Sequence, residues 1–266
     1  MRSLLTAVLA ALIAIGASSA VAPVTRAATA KVVIVVGPVG ATTSDYRSKA
    51  LALASQARSY GAAVTEVFTP NATWSRVVAA ARGANVLIYL GHGNGWPSPY
   101  PPYSTSSKDG IGLNASAGHG NANVRYYGEA YVAKLALARN AVVILNHLCF
   151  ASGNSEWGSA NPTKSVAIKR VDNYGAGFLR SGARAVFAIG LDNVAFLLTG
   201  LFRGSASMTM AQLFWSNPRK TVRYRIAFTS KRTSGTTAVM DPYASSRYFR
   251  SVIGWLSTTV GSWRAG

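Results

Sequence analysis

The side chains best placed to do chemistry in this sequence are one histidine and one cysteine, each at the end of an apolar run. His92 follows VLIYLG at 86–91, and Cys149, the only cysteine among 266 residues, follows VVILNHL at 142–148. Both runs are long enough for a buried strand, so each reads as a strand carrying a reactive group at its end. Neighbouring strands of a sheet lie about 4.8 Å apart. If these two are parallel neighbours, the imidazole either favours a thiolate–imidazolium pair or takes the thiol proton as the sulfur attacks an acyl carbon. The resulting oxyanion needs backbone donors. The amides of Gly93 and Cys149 are the candidates, because glycine permits close approach and the nucleophile's own N–H faces the site.

The rest of the chain must supply a sheet that holds those strands side by side. KVVIVV at 31–36 reads as a first strand, followed by the turn Gly37-Pro38-Val39-Gly40. A helix then opens at Ser44-Asp45, repeats Tyr46, Ala50, Leu53, Ala54 and Ala57 at helical spacing, and stops at Gly61. The alternation continues with a strand at 63–68, a helix from Pro70-Asn71 to Arg82, the strand at 86–90, a short helix at 128–139, the strand at 141–148, a helix at 172–180 and a strand at 183–189. Such alternation predicts an α/β fold of three layers, with a mostly parallel central sheet and helices on both faces. In such folds ligands bind past the carboxyl ends of the strands, where His92 and Cys149 fall.

Residues 94–125 are rich in Pro, Ser, Gly and Asn, include His119, and show no sustained periodicity; they read as a long loop of the kind that is usually functional or mobile. Farther on, 208–215 reads as a helix, 221–228 as a half-exposed strand with Arg223 and Arg225 outward, and 251–259 as a last strand. The expected organisation is a leader over 1–30 and a single domain over 31–266, with its core at 31–192 and basic strands and a helix at 193–266. The leader reading rests on Arg2, an apolar run at 4–15 and the small residues Ala28-Thr29-Ala30, which fit cleavage near Ala30 and export.

At this point the residues resemble the caspase-like cysteine peptidases, a group that includes caspases, metacaspases, gingipains, clostripain and legumain. Tyr89-Leu90-Gly91-His92-Gly93 is similar to the metacaspase pattern His-Tyr-Ser-Gly-His-Gly. His147-Leu148-Cys149-Phe150-Ala151-Ser152-Gly153 is similar to Asp-Ser-Cys-His-Ser-Gly with one residue inserted. The separation, 149 − 92 = 57, is close to the roughly fifty residues between His and Cys in caspases. The stretch 178–186 resembles the strand-five region of these families, so the likeness covers about 31–192. It implies a caspase-like fold and peptidase activity on a protein or peptide substrate, with His92 as base and Cys149 as nucleophile. Metacaspases and clostripain-like enzymes carry an Asp two residues before the cysteine, where it helps hold a basic side chain; this chain has His147 there. Strand alternation would set His147 and Cys149 on one face, making His147 a candidate for the specificity pocket. Asp192, just past the strand at 183–189, is the other candidate.

Other chemistries have weaker support. His92, His147 and Cys149 are potential zinc ligands, but no His-Glu-x-x-His or paired-cysteine motif accompanies them, and no metal or other cofactor is expected. A serine hydrolase would carry Gly-x-Ser-x-Gly, which is absent. Without Arg2 and Arg26 the charge is 25 − 8 = +17, and fourteen basic residues lie between Lys164 and Arg250. Anionic cell-wall polymers, anionic membrane surfaces or nucleic acid are the candidate partners, with a charge that serves solubility alone as the alternative, and no nucleic-acid module is recognisable. The rival to the peptidase is a non-catalytic caspase-like domain that binds such polymers through its basic face. No later segment reaches the roughly 18 apolar residues that would suggest a membrane span in the mature chain.

Overall fold

In the computed structural model, which describes residues 29–266, KVVIVV forms the strand β1 (Lys31–Val36), and its five valine and isoleucine positions after Lys31 are fully buried. The leader expected over 1–30 falls almost wholly outside the described residues. After β1 come α1 (Thr43–Ser59), β2 (Ala63–Phe68), α2 (Trp74–Ala81) and β3 (Val86–Leu90). The next stretch holds β4 (Gly93–Asn94), β5 (Gly110–Asn114), β6 (Val124–Tyr127) and the single turn α3 (Glu129–Val132). Then follow β7 (Ala141–Asn146), α4 (Lys164–Arg180), β8 (Ala183–Ile189), α5 (Ala195–Arg203) and α6 (Met210–Trp215). The chain closes with β9 (Ile226–Thr229), β10 (Thr237–Met240), β11 (Arg250–Gly254) and α7 (Val260–Ala265).

An eight-stranded sheet runs in the order β2-β1-β3-β7-β8-β11-β10-β9. The first five are parallel, and the last three join antiparallel. Because alternate strand residues face opposite sides, Val33 and Val35 pack with Val77 of α2 and Val171 and Phe178 of α4. Val32, Ile34 and Val36 pack with Leu53 of α1, Leu197 of α5, Met210 of α6 and Trp263 of α7. Two apolar layers thus cover both faces of one sheet, the three-layer α/β architecture that the alternation predicts. Among the described residues no helix is long and apolar enough to cross a membrane.

Several boundaries differ from the sequence reading. Residues 94–125 are not one long loop: β4, β5 and β6 make a small antiparallel sheet there, in the order β4-β5-β6. Its strands escape a periodicity search because GIGLN alternates glycine with the two buried apolar residues Ile111 and Leu113. The helix expected at 128–139 is limited to four residues, and α4 begins eight residues before the expected Asp172. The half-exposed strand expected at 221–228 shrinks to β9, so Arg223 and Arg225 lie in a turn before it. The last strand stops at Gly254, and α7 follows.

Candidate functional site

β3 and β7 are parallel neighbours, with Leu90 opposite Asn146 as the last pair. His92 and Cys149 therefore leave the sheet at the same carboxyl edge, two and three residues past that pair. Beyond β3 the chain is fixed from both sides. The His92 carbonyl accepts from the Gly112 N–H at 3.0 Å, and the buried Tyr89 hydroxyl lies 3.1 Å from the same carbonyl and 2.6 Å from that of Gly112. Gly93 faces Ile111 across the β4–β5 ladder. With the His92 carbonyl already bonded to Gly112, Gly93 occupies a non-hydrogen-bonded pair, and its own N–H turns away from β5.

Gly93 is also where the two halves of the site touch. A Cβ there would overlap the carbonyl oxygen of Cys149 and lie 2.6 Å from the Tyr174 hydroxyl, so no larger residue lets the histidine segment reach the cysteine turn. Gly95 shows the same close fit two residues on, against Phe150 and Tyr174.

β7 stops at Asn146 because the chain reverses there: His147 has φ +61° and Phe150 φ +70°. The Asn146 side-chain amide donates to the carbonyls of Ile189 and Asp192, pinning the turn to the end of β8. Cys149 follows in this turn, partly exposed and free. Its N–H donates to no described acceptor, while its carbonyl accepts from the Ala151 N–H. The turn places Cys149 on the wall of a cleft of about 780 Å³, with His147, Tyr46, Glu156, Trp157 and Arg247 among the other lining residues.

The electrostatics of this pair are those of neutral partners. Burial pushes the Cys149 thiol up to about 11, the nearby Glu156 carboxylate adds to the rise, and the Trp157 amide directed toward the sulfur opposes it. That amide biases the sulfur without meeting the geometry of a full hydrogen bond. His92 is an exposed residue, yet partial desolvation of its ring lowers its pKa from the ordinary imidazole value, with Glu156 opposing. No hydrogen bond joins the His92 ring to the sulfur or to another described group. The Glu156 carboxylate acts on both groups, but His92 is not among the residues that line the cleft holding Cys149.

His147 lines the cleft, but not by strand alternation, since the positive φ breaks the strand before it. Its ring lies 5.2 Å from that of Tyr46, and Nδ1 is 3.1 Å from the Gly190 carbonyl. Burial, and then the Lys49 charge, lower its pKa; the Gly190 carbonyl, Asp45 and Asp192 oppose. Asp192, the other pocket candidate, has its carboxylate 3.3 Å from the buried Arg250 and 3.4 Å from the Asn217 side-chain amide, and it is not among the residues that line this cleft, although its neighbours Gly190 and Leu191 are. Among the described residues no three His, Cys, Asp or Glu side chains form a group able to hold a metal, so His92, His147 and Cys149 do not assemble a zinc site.

The residue missed in sequence is Glu156. It is one of only eight acids in the chain and follows the cysteine closely, the one signal that could have marked it. Its Oε2 accepts from the Tyr100 hydroxyl at 2.7 Å, tying the proline-rich segment 95–108 to the loop that borders Cys149. The buried Arg170 braces both sides, donating to the carbonyls of Pro97 and Asn154 at 2.6 Å each.

No protein-family model matches this chain, and no curated protein matches it. Among solved structures it is similar to the X-ray structure of a secreted C11 cysteine protease from Bacteroides thetaiotaomicron in complex with an irreversible peptide inhibitor. The likeness has a TM-score of 0.41 and 9% identity, and it covers 80% of this chain and 66% of that protein, so the chain spans just under two thirds of its length.

Proposed function

We propose that this chain is a cysteine endopeptidase that acts through His92 and Cys149. The observation that carries the reading is the parallel pairing of β3 with β7, which brings the two residues to one sheet edge with Gly93 against the cysteine turn. Because thiol and imidazole both favour their neutral forms, the sulfur is activated during attack rather than stored as a thiolate. Cys149 Sγ bonds to the scissile carbonyl carbon as its proton passes to His92. The Gly93 and Cys149 amides donate to the oxyanion. Collapse expels the amine, which takes the proton from His92, and leaves a thioester. Water, deprotonated by His92, then hydrolyses the thioester and restores the thiol. The organisation as a leader at 1–30 and one domain at 31–266, with release from the cell, belongs to the same proposal.

A non-catalytic domain that binds anionic surface polymers is the second reading, and the exposed cations Arg219, Lys220, Arg223, Arg225 and Arg247 are what favour it. Cleavage of a mixed peptide library by wild type, Cys149→Ala and His92→Ala decides between them. The peptidase reading expects cleavage by wild type alone. Equal behaviour of wild type and Cys149→Ala rejects it.

A further inference from the structure

The surface formed by the last part of the chain is charged with one sign. Residues 193–266 contain ten Lys and Arg and a single acid, Asp241. That acid is 1% exposed. Its carboxylate lies 3.1 Å from Arg250 and accepts from the Thr221 and Val222 amides at 3.0 and 2.8 Å. Arg219, Lys220, Arg223, Arg225 and Arg247 are all exposed. The nearest other carboxylate, Asp192, is shared between Arg250 and, at 3.8 Å, Arg219. Three of the guanidinium groups lie over aromatic rings: Arg223 over Tyr224 at 5.4 Å, Arg225 over Trp215 at 5.6 Å, and Arg247 over Phe249 at 5.5 Å. Such stacking orients a guanidinium without neutralising it and leaves its N–H edge free for carboxylates.

These cations are ordered along the edge of the sheet that carries the cleft. Ile189, at the carboxyl end of β8, pairs with Arg250; Ser251 pairs with Met240, and Met240 with Ile226. The end of β8, the start of β11, the end of β10 and the start of β9 therefore follow one another along the edge where β3 and β7 also end. Arg247 lines the cleft itself. Arg219 and Lys220 come next, held by the Arg250 guanidinium on the Arg219 carbonyl and by Thr221 on Asp241, and Arg223 and Arg225 precede β9. From β8 to β9 is three strand spacings, about 14 Å, the length of about four residues of extended chain.

Resting on the peptidase reading, we propose that this ridge is a docking site for an acidic segment of the polypeptide substrate, about four or more residues from the scissile bond. A row of cations that begins on the cleft wall lies in the path of a single extended chain leaving the cleft. Its cations outnumber the one carboxylate that reaches it, Asp192 at Arg219, so it attracts a run of Asp or Glu and lowers KM more than it changes kcat.

The test uses pairs of fluorogenic peptides that share a scissile sequence found in the library cleavage. A glycine spacer at either end leads to a run of Glu in one peptide and of Gln in its partner. The acidic peptide is expected to have a kcat/KM at least about fivefold higher at low salt, carried by KM, with the ratio falling as salt rises. The ratio should drop toward one in R219Q/R223Q/R225Q and persist in R76Q/R82Q, which removes two cations at α2. A wild-type ratio near one, or a ratio that survives the triple substitution, overturns the proposal. Fluorescence anisotropy of the same peptides on Cys149→Ala separates the two claims. If no Cys149-dependent cleavage exists, the peptidase reading fails, yet preferential binding of the Glu peptide that the triple variant loses still supports the docking site. Equal binding of both peptides, or tighter binding of an oligonucleotide or sulfated polysaccharide of equal charge, overturns it.

Discussion

At the scale of single residues, the site is governed by the lack of room around Gly93 and by one carboxylate. Gly93→Ala drives a methyl group into the Cys149 carbonyl and against Tyr174. It should cost about 1–3 kcal/mol of stability, read by urea unfolding, and lower kcat/KM for peptide cleavage by at least about tenfold as the two strand ends are forced apart. Glu156 acts through its charge. In wild type, alkylation of Cys149 by iodoacetamide should be slow at neutral pH and rise toward about 11, where burial and Glu156 have moved the thiol. Glu156→Gln removes the repulsion between carboxylate and thiolate, so its alkylation profile should shift to lower pH. An unchanged profile would show that burial alone sets the thiol.

Among the elements, β3 and the small antiparallel sheet share one hinge of hydrogen bonds. The Tyr89 hydroxyl, fully buried, meets the carbonyls of His92 and Gly112 and accepts from the Gly112 N–H at 3.1 Å. Tyr89→Phe leaves those groups short of a partner, at about 1–3 kcal/mol. It should lower kcat more than it raises KM, because His92 loses a backbone anchor while the cleft wall across β7 stays intact. The measurement is a kcat and KM comparison on a peptide cleaved by wild type. This hinge was not visible in sequence: Tyr89 reads there as one more apolar strand residue, and its partner Gly112 sits in what reads as a loop.

For the molecule as a whole, stability should depend on pH through Asp109. This carboxyl is fully buried, one oxygen accepts from the Trp96 N–H at 2.8 Å, and the other has no described partner. Burial raises its pKa to about 7, with the Trp96 bond opposing. In an unfolded chain the same group ionises near 4. The folded state thus holds its proton more tightly, and the stability that it contributes is complete below that unfolded value and is lost as pH rises through about 7. Asp109→Asn keeps the acceptor for Trp96 and suits the residue's φ of +60°. The variant should gain about 2–4 kcal/mol over wild type at pH 8 and little at pH 4, read by urea unfolding at both.

What the sequence determined by itself is where the strands of the sheet interior run. β1, β3 and β8, buried on both faces, have the same limits in the sequence reading and in the structure, because a largely apolar or β-branched run between turn residues has no better place than a sheet interior, and the half-exposed edge strand β2 keeps its limits too, set by the turns on either side of it. His92 and Cys149 were legible for the same reason, as reactive groups at the ends of such runs. Tertiary structure alone decided the rest. That β3 lies beside β7 is a long-range pairing that no local pattern encodes. The turn at His147 uses a backbone conformation that its residue type does not announce. Glu156, Tyr100 and the Arg219–Arg225 ridge gain their positions from loops anchored by single buried side chains such as Arg170 and Arg250. A charge in a sequence has a sign but no neighbour, and only the folded chain placed one acid beside the thiol and a row of cations along the same edge.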